Sequence, residues 1–336
     1  MMTSTLRPGD AAANIPCHVR DVVTDDEGCL ARSISGWAQD YQRLKAGAFR
    51  GSLAELCFGE AQLFVEQTSH ALRQICTVPD GYVWFGLPLC EDRCVRINGV
   101  AVQDGRIAVH RGGIDFELIT PDELRFWGIV VREQALKDYA RQFEHENWVE
   151  TLLDRPVLGV DEGRKRFAQQ MCSRILQQQY DSEGLTLTLP LRQSLTDDTL
   201  SALFALFESG EPLPVERTWG RQRHRLVEMA DAYVRASPDR LVTVSELCNA
   251  LNISRRALQA SFQDVLGVSP HAYIRAVSLN CVRSHLRDAE SPYRSVQDAA
   301  AAFGFWHMSQ FALDYREMFG ERPSETLRRR EGESEH

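Results

Sequence analysis

Two stretches in the last third of the chain repeat one pattern. The first is LNISRRALQASFQDVLGVSPHAY, Leu251–Tyr273, and the second is GFWHMSQFALDYREMFGERPSETLRRR, Gly304–Arg330. Four pairs of similar residues, each 53 positions apart, link the two copies: Leu258 and Phe311, Phe262 and Tyr315, Gly267 and Gly320, Pro270 and Pro323. The repetition predicts two copies of one small helical unit.

Each copy carries the signals of two helices joined by a short turn. In the first copy, Thr243 or Ser245 can cap a helix that continues to Leu251, and Ser254 can cap a second helix that ends at Gly267. Two helices joined this closely are typical of the helix-turn-helix motif, whose second helix enters the major groove of DNA. A helical hairpin that only packs is the alternative for one copy, and the repetition favours the DNA-binding motif.

A third helix is predicted between the copies. Ser269 and Pro270 are typical of a helix start, and the helix can continue to Arg287 or Asp288. Such a helix of 18 residues is about 27 Å long, close to the roughly 34 Å between successive major grooves on one side of B-DNA. A rigid connector of this length would place both units along the same side of a duplex.

The charges of the chain are unevenly distributed. Its net charge is −9, but residues 217–330 contain 17 Arg, no Lys and 12 acidic residues, which gives +5, whereas residues 1–216 carry −11. A basic segment on an acidic body predicts a polyanionic partner for that segment. A chance excess of arginine is the alternative.

The repeated segment resembles the tandem helix-turn-helix domain of AraC/XylS-family transcription regulators. The motifs that carry the resemblance are SRRALQASFQDVLGVSPHAY and AAAFGF…QF…Y…FGERPSETL, and they cover about 100 residues. The resemblance implies a transcription activator without enzymatic activity, with double-stranded promoter DNA and RNA polymerase as its partners.

The outward residues of the two recognition helices are the predicted DNA contacts. Arg256 and Gln259 match the base-reading positions of the family motif, since Arg can bridge guanine and Gln can bridge adenine. Ser254 and Arg255 are expected at phosphates. The candidates on the second recognition helix are Trp306, His307, Ser309, Gln310 and Leu313.

The second helix is poorer in base-reading side chains than the first. Ser309 and Gln310 are its polar candidates, and Leu313 could touch a thymine methyl group. Asp314 stands where a basic residue is expected near phosphates. We therefore expect more base readout from the first unit and more recognition of DNA shape from the second.

The first half of the chain indicates a β-rich domain, so the fold class is α+β. Strong β-formers alternate with Gly, Pro and Asp in seven segments: LAELCFG, AQLFVEQ, QICTVP, YVWFGLPL, RIAVHRG, IDFELIT and LRFWGIVV. The pattern fits a small barrel or sandwich, and the family resemblance implies a cupin-like β-barrel that binds an effector. The expected boundaries are a disordered N-terminus at 1–20, the barrel at 21–158, a helical dimerisation or coupling segment at 159–207, a linker at 208–220, the all-α tandem helix-turn-helix domain at 221–330 and an acidic tail at 331–336.

Two helices are predicted after the barrel, at Glu162–Tyr180 and Leu189–Phe207. Phe167, Met171 and Ile175 form an apolar stripe on the first of them. Stripes of this kind can pair between the subunits of a homodimer or pack within one chain, and the sequence leaves both alternatives open.

The nature of the effector comes from a narrower resemblance. The segments WAQDYQRL, ALRQICTV, YVWFGLP, RGGIDFELITP and GFWHMSQFALDY are similar to regulators of ethanolamine-utilisation operons within the same family. This implies sensing of a small amine or amino alcohol with adenosylcobalamin as co-effector, although the chain has no D-x-H-x-x-G cobalamin motif. A carboxylate and aromatic rings are expected to surround such a cation. The candidates are Phe64, Arg73, Trp84, Phe116, Glu117 and Trp127.

Other classes of protein are less well supported. A metalloenzyme would need clustered ligands, and the strand region offers only His70 and His110, without an H-x-H pair. A regulator whose barrel only dimerises is a further alternative.

Nine cysteines without a C-x-x-C pair indicate reduced thiols, and no membrane segment or export signal is evident, so a cytoplasmic location is expected. The Cys90 and Cys94 pair in CEDRC has no second ligand pair to complete a zinc site.

Overall fold

The protein is described by a computed structural model over residues 17–89, 94–102, 105–142, 148–180, 187–207, 218–237 and 240–333. Its strands are β1 Cys17–Thr24, β2 Ala38–Arg43, β3 Gly51–Phe58, β4 Ala61–Thr68, β5 Leu72–Thr77, β6 Tyr82–Pro88, β7 Val95–Ile97, β8 Val100–Val102, β9 Arg106–Arg111, β10 Asp115–Thr120, β11 Leu124–Arg132 and β12 Val157–Gly159. Its helices are α1 Glu27–Ala31, α2 Glu133–Arg141, α3 Trp148–Leu153, α4 Glu162–Tyr180, α5 Leu189–Ala205, α6 Thr218–Arg235, α7 Val244–Ala250, α8 Arg255–Leu266, α9 Pro270–Arg287, α10 Val296–Ala302, α11 Met308–Phe319 and α12 Pro323–Glu333.

The N-terminal domain consists of two antiparallel sheets. The larger sheet has seven strands in the order β1-β3-β4-β11-β6-β9-β12, and the smaller has five in the order β2-β5-β10-β7-β8. The seven strands predicted from the sequence are confirmed as β3, β4, β5, β6, β9, β10 and β11. The prediction did not include β1, β2, β7, β8 or β12, and residues 17–20 of the expected N-terminal tail lie in β1.

The expected closed barrel is wrong, because both sheets have free edges among the described strands. A closed barrel would require an edge strand of one sheet to pair with an edge strand of the other. The edge strand β2 instead contacts α9. The side-chain amide of Asn280 on α9 accepts from the backbone N–H of Arg43 at 3.3 Å and donates to its carbonyl at 3.0 Å. A side chain of the C-terminal domain therefore occupies part of the edge that a barrel would use.

Alternation along the strands divides the N-terminal core into two layers. The inner layer lies between the sheets and contains Leu53, Phe64, Trp84 and other residues. The outer layer lies between the larger sheet and α2–α5, and Val83 is one of its members. Consecutive residues such as Val83 and Trp84 fall in different layers because successive strand side chains point to opposite faces.

Helices α4 and α5 cover the outer layer. The bounds of α4 agree with the prediction, and α5 ends two residues earlier than expected. Cys172 and Ile175 of α4 join the same core as Leu203 of α5, so intrachain packing is observed and a dimer contact stays a prediction. Phe167, which the sequence pattern places on the apolar stripe of α4, is instead 49% exposed.

The C-terminal domain consists of α6–α12 around two small cores, and one of these cores also contains residues of the N-terminal domain. Val227 and Ala230 of α6 cluster with Leu44, Ala71 and Ile119 of the first domain. Residues 208–217 of the expected linker and residues 334–336 of the expected tail lie outside the described residues, as do residues 1–16. Within the described chain, no helix is long and apolar enough to span a membrane.

Candidate nucleic-acid interface and interdomain contacts

The first helical unit is formed by α7 and α8. The Thr243 hydroxyl accepts from the backbone N–H of Glu246 at 3.2 Å, and the Glu246 carboxylate accepts from the backbone N–H of Thr243 at 2.7 Å. This capping box starts α7, and the Ser254 hydroxyl caps α8 by accepting from Ala257 N–H. Gly267 ends α8 at φ 68°, a left-handed conformation that glycine adopts readily. The predicted helix-turn-helix unit is confirmed.

The outward face of α8 carries the predicted base contacts. Leu258 and Phe262 are fully buried, which leaves Arg255, Arg256 and Gln259 exposed on the other side. Within the described part of the chain, no salt bridge or hydrogen bond occupies these three side chains. Their charged and amide groups are therefore free to contact another molecule.

The second unit repeats this arrangement in α10 and α11. The Ser295 hydroxyl caps α10 by accepting from Asp298 N–H at 3.0 Å, and Gly320 ends α11 at φ 75°. Phe311 and Tyr315 are buried where the repeat predicts them. The second predicted helix-turn-helix unit is also confirmed.

The face of α11 that corresponds to the predicted contacts is more apolar than that of α8. Trp306 is 72% and Leu313 is 58% exposed, and His307, Ser309 and Gln310 are exposed as well. The Gln310 amide donates to the Asp314 carboxylate at 2.9 Å. Asp314 in turn forms an ion pair with Arg275 of α9, which explains an acidic residue at this position.

Helix α9 connects the two units without a break. It spans Pro270–Arg287, its 18 residues match the predicted length, and the Ser269 hydroxyl caps it at 3.2 Å from Ala272 N–H. Its Tyr273 packs with the first unit and its Val282 with the second. The connector is therefore part of both cores, which holds the two units in a fixed relation.

Two of the predicted effector-binding residues lie at the domain interface instead. The Arg73 guanidinium pairs with Glu117 on one side and with Asp231 of α6 at 2.9 Å on the other. Asp231 also accepts from the Tyr273 hydroxyl at 2.8 Å, and His224 Nδ1 lies 3.5 Å from Glu117. Burial opposes the charge of Arg73, but its acidic neighbours and Tyr273 raise its pKa above the ordinary value. The strands direct Arg73 and Glu117 to the outer face of the smaller sheet, where they contact α6 rather than the space between the sheets.

A second polar contact joins the N-terminal domain to the other helical unit. Arg43 is fully buried, and its guanidinium lies 5.8 Å from the ring centre of Phe49 and 5.7 Å from that of Phe319 in α11. Burial lowers the pKa of Arg43 to about 10. Nearby, Arg283 of α9 pairs with Glu27 of α1. The N-terminal domain thus contacts α6 through Arg73 and the second unit through Arg43.

A cleft of about 450 Å³ separates the domains beside these contacts. Its walls include Glu27 and Arg32 from α1, Asp40 from β2, and Asn280 and Arg283 from α9. Basic and acidic side chains alternate along it, and those of Glu27 and Arg283 already pair with each other.

Three of the four predicted aromatic effector contacts share the inner layer. The ring centres of Trp84 and Phe116 are 5.0 Å apart, and Trp37 lies 5.7 Å from Phe64 and 5.8 Å from Trp84. Trp127 belongs to the outer layer, on the other face of the larger sheet from these three rings. Because Phe64, Trp84 and Phe116 are at most 3% exposed, the rings are enclosed between the sheets.

The carboxylate that accompanies these rings is Glu66. It lies on β4 two residues from Phe64 and is 4% exposed, and burial raises its pKa to about 7. The Tyr41 hydroxyl donates to it at 2.7 Å, and the indole N–H of Trp84 has no hydrogen-bond partner in this layer. The period-two pattern of AQLFVEQ, which puts Phe64 and Glu66 on one face, could have identified this residue.

The described residues contain one group of side chains with the spacing of metal ligands, His18, Glu55 and Cys57. Glu55 is already hydrogen-bonded to the Ser35 backbone and hydroxyl, to Gln62 and to His18. Burial raises the pKa of Cys57, which disfavours the thiolate that a metal needs. This group is a hydrogen-bonded cluster near the sheet edge. Cys90 lies outside the described residues.

Comparison with known proteins identifies the C-terminal segment. Residues 247–329 match the family model of a helix-turn-helix domain. The XylDLEGF operon transcriptional activator 1 of Pseudomonas putida is 38% identical over 98 residues, which cover 29% of this chain and 30% of that protein. A probable thc operon regulatory protein of Rhodococcus erythropolis is 32% identical over 103 residues, 31% of each chain. The aligned segments thus span less than a third of these two relatives.

Two solved structures are also similar. A probable AraC family transcriptional regulator from Rhodopseudomonas palustris is 38% identical, covering 32% of this chain and 97% of that one, with a TM-score of 0.29. The AraC-like transcriptional activator CuxR is 15% identical over 72% of this chain and 85% of that one, with a TM-score of 0.37.

Two capped helical units on one connecting helix, behind an antiparallel-sheet domain, define a tandem helix-turn-helix protein. Together with the sequence matches over this segment, they show that residues 247–329 form a helix-turn-helix domain, similar in sequence to operon transcriptional activators of the AraC/XylS type.

Proposed function

We propose that the protein is a sequence-specific DNA-binding transcription activator that responds to a small molecule. The observation that carries the proposal is the outward face of α8, where two arginines and a glutamine are exposed without partners among the described residues. Arg and Gln make the bidentate contacts that distinguish guanine and adenine in the major groove. The names of the relatives, which include operon transcriptional activators, support the same function.

The roles of the individual side chains follow from their position on α8. Arg256 and Gln259 are exposed about one turn apart on α8 and would contact base edges. Ser254 and Arg255 at the start of the helix would contact phosphates, where the helix dipole and free N–H groups favour an anion. Promoter DNA is therefore the proposed partner, with RNA polymerase as a second partner of the bound complex.

Two arginine substitutions separate base reading from phosphate contact. Target DNA is first selected from a random pool with the wild-type protein. On that DNA, Arg256→Ala should relax the preference at one base position and cost about 1–3 kcal/mol of discrimination. Arg255→Ala should weaken binding to all sequences and reduce the slope of log K against log salt by about one. The matched control is Arg166→Ala, an exposed arginine on α4, which should change neither quantity.

Equal effects of the two α8 substitutions on every DNA sequence would refute these roles. Failure of the wild-type protein to select any DNA sequence would refute the proposed function as a whole.

The proposed effector is a small amine or amino alcohol such as ethanolamine. Support comes from the buried Glu66 carboxyl, which lies in the inner layer with aromatic rings that can stabilise a cation. The unpaired indole N–H of Trp84 in the same layer also favours a polar occupant. Adenosylcobalamin is not proposed, because a group of its size does not fit between the sheets, where the ring centres of Trp84 and Phe116 are 5.0 Å apart.

A thermal-shift panel tests effector binding directly. A ligand at about 100 times its Kd stabilises the folded protein by about 2.7 kcal/mol. Ethanolamine and related amines should raise the Tm of the wild-type protein, and Glu66→Gln should remove the shift because it removes the carboxyl group that can ionise beside the cation. If no amine raises the Tm, the alternative of a regulator whose N-terminal domain has no effector is favoured.

A further inference from the structure

The two recognition helices differ at equivalent positions of the 53-residue repeat. Arg255, Arg256 and Gln259 of α8 correspond to Met308, Ser309 and Ala312 of α11. Each of these three long polar side chains on the first helix is thus replaced by an apolar or a small one on the second. The second helix has lost the groups that would bridge guanine or adenine.

Large apolar side chains occupy the same face of α11. Leu313 is 58% exposed and corresponds to the small Ala260 of the first unit, while Trp306 is 72% exposed just before the helix begins. Exposed residues of this size are costly in water unless a partner covers them, at about 25 cal/mol for each Å² of apolar surface. In the repeat, this surface of α11 is equivalent to the surface of α8 that carries the exposed arginines. We therefore expect the partner that contacts those arginines to cover it as well.

The remaining amide on this face is already engaged. Gln310 donates to Asp314, and Asp314 is held by Arg275 of the connecting helix. Asp314 is a negative charge that would repel phosphate, but Arg275 neutralises it. The surface of α11 around Leu313 is therefore mainly apolar, and the exposed Arg316 follows it about one turn later.

We propose that the second recognition helix reads thymine methyl groups in the major groove, with Leu313 and Ala312 as the contacting side chains. Thymine is the only base that offers a methyl group there, and apolar side chains contact it. This inference rests on the proposed DNA-binding function and adds the chemistry of the second half-site. The protein thus pairs a half-site read by hydrogen bonds with a thymine-containing half-site one helical turn away.

Uracil substitution removes the methyl group and leaves base pairing unchanged. In the DNA selected by the wild-type protein, each thymine is replaced in turn by uracil and the Kd of the full chain is measured. Loss of one buried methyl should weaken binding about fourfold, at one or more thymines of the second half-site. Leu313→Ala should bind thymine and uracil equally at its contact position, because the partner of the methyl group is gone.

Two controls keep the result specific. Arg316→Ala, an exposed residue on the same helix, should retain the difference between thymine and uracil. Leu313→Met should also retain it, because an apolar side chain of similar size remains.

The outcomes separate the two levels of the proposal. Selected DNA whose second half-site tolerates uracil everywhere, or a Leu313→Ala variant that keeps the full preference for thymine, would overturn methyl readout while DNA binding stands. A protein that selects no DNA at all would overturn the proposed function itself.

Discussion

The pH dependence of stability tests the buried Glu66 carboxyl. Burial raises its pKa from 4.5 to about 7 in the folded protein. Between these values the unfolded chain has released the proton and the folded protein still holds it, so the free energy of unfolding decreases as the pH rises. The contribution is most favourable to folding below about pH 4.5 and is lost by about pH 7.

The size of the effect follows from the two pKa values. At about 1.4 kcal/mol for each pKa unit, the full penalty well above pH 7 is about 3.5 kcal/mol. Between pH 5 and pH 8 the loss should be about 2.5 kcal/mol, since part of it has already occurred at pH 5.

Glu66→Gln isolates this contribution. The substitution keeps the shape of the side chain and its contact with Tyr41 but removes the titration. Urea unfolding of the full chain is measured at both pH values by tryptophan fluorescence, and the difference between wild type and variant is taken at each. The wild type should lose about 2.5 kcal/mol relative to Glu66→Gln, whereas the exposed Glu290→Gln control should parallel the wild type. Parallel curves for wild type and Glu66→Gln would refute a neutral buried carboxyl.

Three further substitutions probe the interface, the connecting helix and the inner layer. Arg73→Gln removes the guanidinium that joins Glu117 to Asp231, which keeps its ion pair with Arg235, and should cost about 3 kcal/mol in urea unfolding, whereas Lys45→Gln at an exposed ion pair should cost less than about 1 kcal/mol. Ala276→Pro in α9 should lower stability by about 3 kcal/mol or more and abolish binding to paired half-sites in gel-shift assays, with single half-sites bound as before. Gly128→Ala would place a Cβ atom 2.1 Å from the Phe64 ring and should lower the stability of the N-terminal domain by about 1–3 kcal/mol, measured by thermal unfolding.

The C-terminal domain could be predicted from the sequence because its signals are local. The caps at Thr243 and Ser254, the glycine that ends α8 and the proline that starts α9 each act within a few residues. Their repetition after 53 residues adds the second unit. Helix propensity, capping and the core pattern all indicate the same helices here, and such agreement allows a fold to be predicted from its sequence.

The N-terminal domain was less predictable because strand pairing is long-range. Strands β1 and β2 have many exposed residues, so they lack a clear alternation of polar and apolar residues. The free edge of β2 is contacted by Asn280, 237 residues away from Arg43 in the chain. Contacts of this range cannot be read from a local pattern, and the expectation of a closed barrel failed for that reason.

Part of the difference between the predicted effector site and the structure could have been foreseen from the alternation of side chains along β10. Phe116 and Glu117 are adjacent in β10, so they point to opposite faces and cannot both line one internal site. The structure puts Phe116 in the inner layer and Glu117 at the domain interface. That Arg73 and Glu117 meet Asp231 of α6 depends on domain docking, which no local signal predicts.

The most direct test of the account is a hydroxyl-radical footprint of the wild-type protein on its selected DNA. Two helix-turn-helix units on the continuous α9 should protect two segments on one face of the duplex, with centres about 10 bp apart. A single protected segment, or two segments on opposite faces, would contradict a rigid tandem arrangement that reads successive major grooves.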